Sequence, residues 1–115
     1  MCYTYIIRCK NNTLYTGYTT DITRRMEEHK KGINSKYTKA KGFDKLEVFF
    51  ESSNKSQAMK LEYYIKKQSK SKKIWIINNP QIFIDEVKDK FDISIGTLNN
   101  SWQIFLINYN ELESK

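Results

Sequence analysis

The sequence predicts an α+β domain: a small antiparallel or mixed three-stranded sheet flanked by helices, in the order β-β-α-β-α, with a C-terminal extension. Three features predict it. Two apolar, β-prone runs near the start are separated by an asparagine-rich turn. Two later stretches repeat apolar residues at helical spacing behind capping residues. A further β-prone run lies between those stretches, so hairpin, helix, strand and helix follow one another as they do when helices cover a sheet.

The run from Tyr3 to Cys9 (Tyr-Thr-Tyr-Ile-Ile-Arg-Cys) is aromatic and β-branched and reads as a strand. Lys10-Asn11-Asn12 reads as a turn, because asparagine tolerates positive φ. Leu14 to Thr19 is then the returning strand of a hairpin. Asp21 is suited to cap a helix in which Ile22, Met26 and His29 recur at helical spacing, with Arg25 on the same side and Gly32 placed to end it. Residues 33–45 lack sustained periodicity, carry four lysines and read as a basic loop. Leu46 to Glu51 is the third strand. Ser53 and Asn54 are capping candidates for a second helix, striped by Ala58, Leu61 and Ile65 and running to about Ser69. Lys72 to Asn78 reads as a short third helix closed by Pro80. Beyond it Ile82 to Phe91 looks helical, while Trp102 to Tyr109 suits a strand or a buried helix equally. The expected division is a domain over 1–80 and an acidic extension over 81–115.

At 115 residues the chain has room for one domain. With 39% hydrophobic and 14% aromatic residues it has the apolar surface that disordered chains lack. No apolar run approaches the roughly 20 residues of a membrane span, and the start carries no secretory pattern. Cys2 and Cys9 match no zinc spacing and read as reduced thiols of a cytoplasmic protein, with no disulfide-linked partner. The net charge of +7 is unevenly placed: residues 1–80 hold 17 Lys and Arg against 7 Asp and Glu, and residues 81–115 hold 3 against 6. A basic first segment suits a polyanionic partner, since each neutralised phosphate releases a counterion. A basic amphipathic membrane anchor is not evident.

Thr4-Tyr5-Ile6 followed by Tyr15-Thr16-Gly17 resembles the paired signature of the GIY-YIG nucleases, with Tyr5 and Tyr15 ten residues apart across the turn. Asp21-Ile22-Thr23-Arg24-Arg25-Met26-Glu27-Glu28-His29 is similar to the first helix of that family, and Ala58-Met59-Lys60-Leu61-Glu62 to its second-helix motif. The resemblance covers roughly residues 3–78 and is nearest to the small stand-alone bacterial members. It implies a metal-dependent endonuclease acting on DNA, with RNA not excluded, in repair, recombination or processing. It implies Tyr5, Tyr15, Arg25, His29 and Glu62 as catalytic residues, Glu62 as ligand of Mg2+ (or Mn2+), Tyr15 as general base, and products with 5′-phosphate and 3′-hydroxyl ends. The first tripeptide departs from Gly-Ile-Tyr, and neither Asn78 nor Asn79 is assigned to the family's downstream asparagine.

The residue types suit that chemistry. A phenol acts as a base near neutral pH only where positive charge stabilises its phenolate. Arg25 and His29 are four apart and share a helix face, placing a phosphate-binding guanidinium beside a proton-transfer group. A carboxylate beside the apolar Leu61 and Ile65 needs a partner, and Mg2+ binds through one or two carboxylates plus substrate phosphate. Tyr18, Arg24, Lys36, Lys39, Lys41, Lys66 and Lys70 are candidate contacts to the nucleic-acid backbone, which position a strand without reading bases. For each residue an ordinary role competes: strand aromatics for the tyrosines, surface pairing of Glu62 with Lys66, and a solvated face for the lysines. A non-catalytic nucleic-acid-binding module on the same fold is the alternative reading.

Overall fold

Strand β1 (Cys2–Cys9) is apolar on both faces, and that places it inside the sheet. It pairs antiparallel with β2 (Leu14–Thr19) on one side and with β3 (Phe43–Ser52) on the other. β3 pairs in turn with the three-residue β4 (Ile93–Ile95), giving an antiparallel sheet in the order β2-β1-β3-β4. The fourth strand extends the expected three. The structure, a computed structural model, describes residues 1–96, so the Trp102–Tyr109 segment lies outside the described residues. The hairpin turn forms where expected, with Asn12 at a φ of 67°.

Helix α1 (Ile22–Lys31) is bounded by the residues the sequence nominates. Asp21 accepts from the Arg24 amide at its start, and Gly32 closes it in the left-handed region. Residues 33–45 are not a loop. They contain a short helix, α2 (Lys36–Lys41), whose cap Ser35 accepts from the Thr38 amide, and the start of β3. Six residues are too few to show a helical period. Helix α3 (Lys55–Lys66) is capped by Asn54 and ends three residues before Ser69, which instead caps α4 (Lys70–Asn78). Pro80 does more than close α4. It opens α5 (Pro80–Val87) in the first turn, where a missing N–H costs nothing.

The alternation of β1 sorts the core into two clusters. On one face Ile6, Val48 and Phe50 meet Leu61 and Ile65 of α3, Ile76 of α4, Phe83 and Val87 of α5, and Phe91. Residues 80–95 thus pack on the sheet built by the residues before them. On the other face Tyr5, Ile7, Cys9, Phe43 and Phe49 meet Met26 of α1, with Tyr37 of α2 against them. Side chains of this size contribute about 1.5–3 kcal/mol each on burial. Thr4 donates to the Ala58 carbonyl (2.8 Å) and fixes α3 against β1. Cys2 and Cys9 are free and buried. Among the described residues no helix is long and apolar enough to cross a membrane.

Candidate active site

β2 is an edge strand, and its outer margin is left open between α1 and α3. A cleft of about 430 Å³ results. The hairpin contributes Tyr5, Tyr15, Gly17, Tyr18 and Thr19, followed by Thr20; α1 contributes Arg24, Arg25 and Glu28; α3 contributes Lys55 and Glu62. Tyr5 comes from the inner strand β1 and must cross β2 to reach the cleft. Gly17 stands opposite it in the register. A Cβ at Gly17 would lie 2.5 Å from the Tyr5 hydroxyl oxygen and 2.7 Å from Cζ, so the crossing requires a residue without a side chain.

Behind the cleft a buried polar chain holds Tyr5. Its hydroxyl oxygen lies 2.7 Å from Nε2 of His29 and accepts from Nε of Arg25 at 3.3 Å. Nδ1 of His29 lies 3.1 Å from Oγ1 of Thr38 on α2. Burial pushes the His29 pKa down to about 4, with the nearby Arg25 charge acting in the same direction, so the imidazole is neutral at physiological pH. Burial also raises the Tyr5 pKa above the usual phenol range, against the opposing hydrogen bond from Arg25, and keeps its proton in place. The hydrogen-bonded tyrosine of His29 is therefore Tyr5; Tyr15 touches the imidazole only through ring contact, with centroids 5.5 Å apart.

Arg25 is anchored on three sides. Besides the Tyr5 contact, its Nη1 donates to Glu28 (3.3 Å) and to the Asn34 carbonyl (3.0 Å). Glu28 is satisfied in turn: the amide of Asn34 (2.6 Å) and then Arg25 hold its carboxyl below the usual range. Tyr15 is held by its ring, stacked on Tyr37 at 5.1 Å and tilted against Tyr5 at 6.4 Å. Among the described residues its hydroxyl is not committed to a hydrogen bond.

Glu62 sits on the α3 wall with a fifth of its side chain exposed, and pairs with Lys66 one turn on at 3.3 Å. About half of Lys66 is in solvent, so this pair is weak and readily exchanged. Of the two cleft carboxylates, Glu28 is committed to Arg25 and Asn34, and Glu62 is the one available to a cation. Among the described residues no group of three or more His, Cys, Asp or Glu forms a metal cage. A single carboxylate in an open polar cleft fits Mg2+ or Mn2+, which keep several waters and share substrate phosphate, better than a tightly caged ion.

The family model of the GIY-YIG catalytic domain matches residues 1–74. The chain belongs to the GIY-YIG family. Domains of this family have a nuclease-type fold, act on DNA and generally depend on a divalent metal. Curated relatives are small proteins named UPF0213. One from Clostridium perfringens is 40% identical over 82 residues, covering 71% of this chain and 88% of the relative. One from Staphylococcus haemolyticus is 44% identical over 75 residues, covering 65% and 92%. The solution NMR structure of a UPF0213 protein from Bacillus halodurans is 39% identical, covers 68% of this chain and 84% of that one, and superposes with a TM-score of 0.45.

Within this GIY-YIG domain, Tyr5, Tyr15, Tyr18, Arg24, Arg25 and Glu62 come together in the cleft, with His29 directly behind Tyr5. Arg24, which the sequence places beside rather than in the catalytic set, lines the cleft itself. The lysines divide. Lys66 stands at the rim through Glu62 and lies 6.0 Å from the Tyr15 ring centre. Lys70 reaches back to the hairpin and donates to the Asn12 carbonyl (3.2 Å). Lys36 and Lys39 border a separate depression with Gly32, Ile33, Asn34 and Ser35, and Lys41 is exposed at the end of α2; none of these three lines the cleft. Sequence reasoning missed Lys55 and Thr38. Lys55 follows the cap of α3, so only the packing of that helix start against β2 brings it to the cleft. Thr38 is reached through a contact nine residues from His29 that no local pattern signals.

Proposed function

We propose that the protein is a metal-dependent endonuclease that hydrolyses phosphodiester bonds in DNA in the cytoplasm, serving repair, recombination or processing. The observation that carries this reading is the convergence of Tyr5, Tyr15, Arg25 and Glu62 from four different elements on one open cleft. A binding module has no need of that set. Glu62 holds Mg2+ or Mn2+, which when bound supplies Lewis-acid charge at the scissile phosphate and the leaving oxygen. Tyr15, whose oxygen is uncommitted among the described residues, takes the proton of the attacking water as its phenolate and returns to the neutral phenol, with the Lys66 ammonium 6.0 Å from its ring centre. Arg25, oriented by Tyr5 and Glu28, offsets the charge that develops on the phosphate. Arg24, Tyr18, Lys55 and Lys66 hold the flanking backbone, and contacts of this kind fix register without choosing sequence.

The test is cleavage of end-labelled single-stranded, duplex and branched DNA, with an RNA control, in the presence of Mg2+ or Mn2+. Metal-dependent cuts that vanish in Glu62→Ala, with DNA affinity retained, are the expected result. Binding without cuts on every substrate would instead favour a non-catalytic module. Full activity of Glu62→Ala would remove Glu62 as the metal ligand.

A further inference from the structure

The chain from Arg25 through Tyr5 and His29 to Thr38 contains more hydrogen-bonding atoms than protons, so its polarity is restricted to two arrangements. Arg25 is always a donor, so one lone pair of the Tyr5 oxygen is taken. Neutral His29 carries one ring proton. If that proton is on Nδ1, it is donated to Thr38, and Tyr5 donates inward to Nε2. The Thr38 hydroxyl proton then has nowhere to go: Thr38 is 2% exposed, and His29 is the sole partner of its hydroxyl among the described residues. If the proton is on Nε2, the one donor left without a protein partner is the Tyr5 O–H, and it stands at the cleft, where water or a phosphate oxygen can accept. Thr38 O–H donates to Nδ1, Nε2–H donates to Tyr5, and Tyr5, with both lone pairs engaged, directs its own O–H outward. A hydroxyl proton left unpaired in the closed interior at Thr38 is costlier than one left at the open cleft, and that difference selects the second arrangement.

We propose that Thr38 is a positioning residue of the cleft: by donating to Nδ1 it fixes His29 as the Nε2–H tautomer and turns the Tyr5 hydroxyl toward the cleft as a hydrogen-bond donor to a phosphate oxygen. Tyr5 lines the cleft beside Gly17 and Arg25, so an outward proton points where a phosphate would lie. Its proton is retained because burial disfavours the phenolate. Two tyrosines of the same cleft thereby take different tasks: Tyr5 gives a hydrogen bond and Tyr15 accepts a proton. Short as it is, helix α2 acts on the cleft without lining it.

This inference rests on the nuclease reading for its functional consequence, but its structural content is measured without substrate. His29 is the single histidine of the chain, so its ring nitrogens give one unambiguous set of 15N signals. The wild-type protein at neutral pH is expected to show a protonated Nε2 and an unprotonated Nδ1. Thr38→Val, which keeps the shape and removes the hydroxyl, is expected to give a mixture of tautomers, and Thr38→Ser to restore the single form. With DNA and Mg2+, cleavage by Thr38→Val should fall about 10-fold, the low end of the cost of losing a hydrogen bond that orients a metal-bound histidine, and recover in Thr38→Ser. A wild-type His29 protonated on Nδ1 overturns the proposal whatever the variants do, and so does a Thr38→Val tautomer identical to wild type. Absence of cleavage in every protein, with the expected tautomers present, counts against the nuclease reading and leaves the assigned polarity standing.

Discussion

Tyr5 and Ile6 are consecutive residues of β1, both almost wholly buried, yet the faces they enter are built differently. Ile6 enters an apolar cluster with Phe50, Leu61, Ile65, Ile76 and Phe83. Tyr5 enters a face in which a phenol, an imidazole and a threonine hydroxyl lie in series behind an open cleft. The strand period of two is what separates stability from chemistry. Three α-helices cover the first face, and the second is covered by α1 and α2, whose side chains hold the tyrosines.

The largest effect expected from this contrast lies on the apolar face. Phe83 is fully buried there and packs on Phe50 with ring centres 5.5 Å apart, although it belongs to α5, beyond residue 80. Phe83→Ala should cost about 3–5 kcal/mol in urea unfolding, a large share of a small domain's stability. A loss under about 1 kcal/mol would mean that α5 adds little to the core, and would support a domain that ends near residue 80.

The polar face should reveal itself in pH dependence. His29 has a pKa near 6.5 when unfolded and about 4 in the folded protein. The unfolded chain therefore takes up a proton first as pH falls. Stability from this residue is complete above about pH 6.5, declines between 6.5 and 4, and levels off below, for a total of about 3 kcal/mol. The decline should be missing from His29→Gln itself, and should therefore stand out in the difference between wild type and that variant measured at each pH. A wild-type curve that rises on acidification through this window would show that the imidazole is charged in the fold.

Both strands of the hairpin, α1 with its Asp21 and Gly32 boundaries, and the pairing of Tyr5 with Tyr15 were legible in the sequence, because periodicity, capping chemistry and motif spacing are local. Glu62 was legible through the resemblance of Ala58-Met59-Lys60-Leu61-Glu62 to the family's second-helix motif, which is likewise local. What escaped was short or long-range. A six-residue helix and a three-residue strand are below the length at which a period shows, so 33–45 read as a loop and β4 was not seen. Lysines 36, 39 and 41 looked like a phosphate track because charge is visible without direction; the helix that carries them sets them away from the cleft. The role of Thr38 depends on a buried contact between α1 and α2 that the sequence has no local means to express.

The smallest expected stability effects give the cleanest separation of the two faces. Tyr5→Phe removes one hydroxyl from a buried chain, and Ile6→Val removes one methylene from a packed cluster. Tyr5→Phe should cost about 1–3 kcal/mol, because it leaves the buried Nε2–H of His29 without its acceptor, and Ile6→Val about 1 kcal/mol through a small cavity. Their effects on cleavage should differ greatly. Without the Tyr5 hydroxyl the nearby phosphate loses a donor and Arg25 loses the oxygen that aligns its Nε, so cleavage should fall by about 100-fold, as on removal of one preorganised donor from a transition state. Ile6→Val leaves every cleft contact in place and should cleave at the wild-type rate. Equal losses of cleavage in the two variants would mean that the cleft responds to the packing of β1 as a whole. Equal retention would mean that the Tyr5 hydroxyl is a structural group, and that Tyr15, Arg25 and Glu62 carry the chemistry without it.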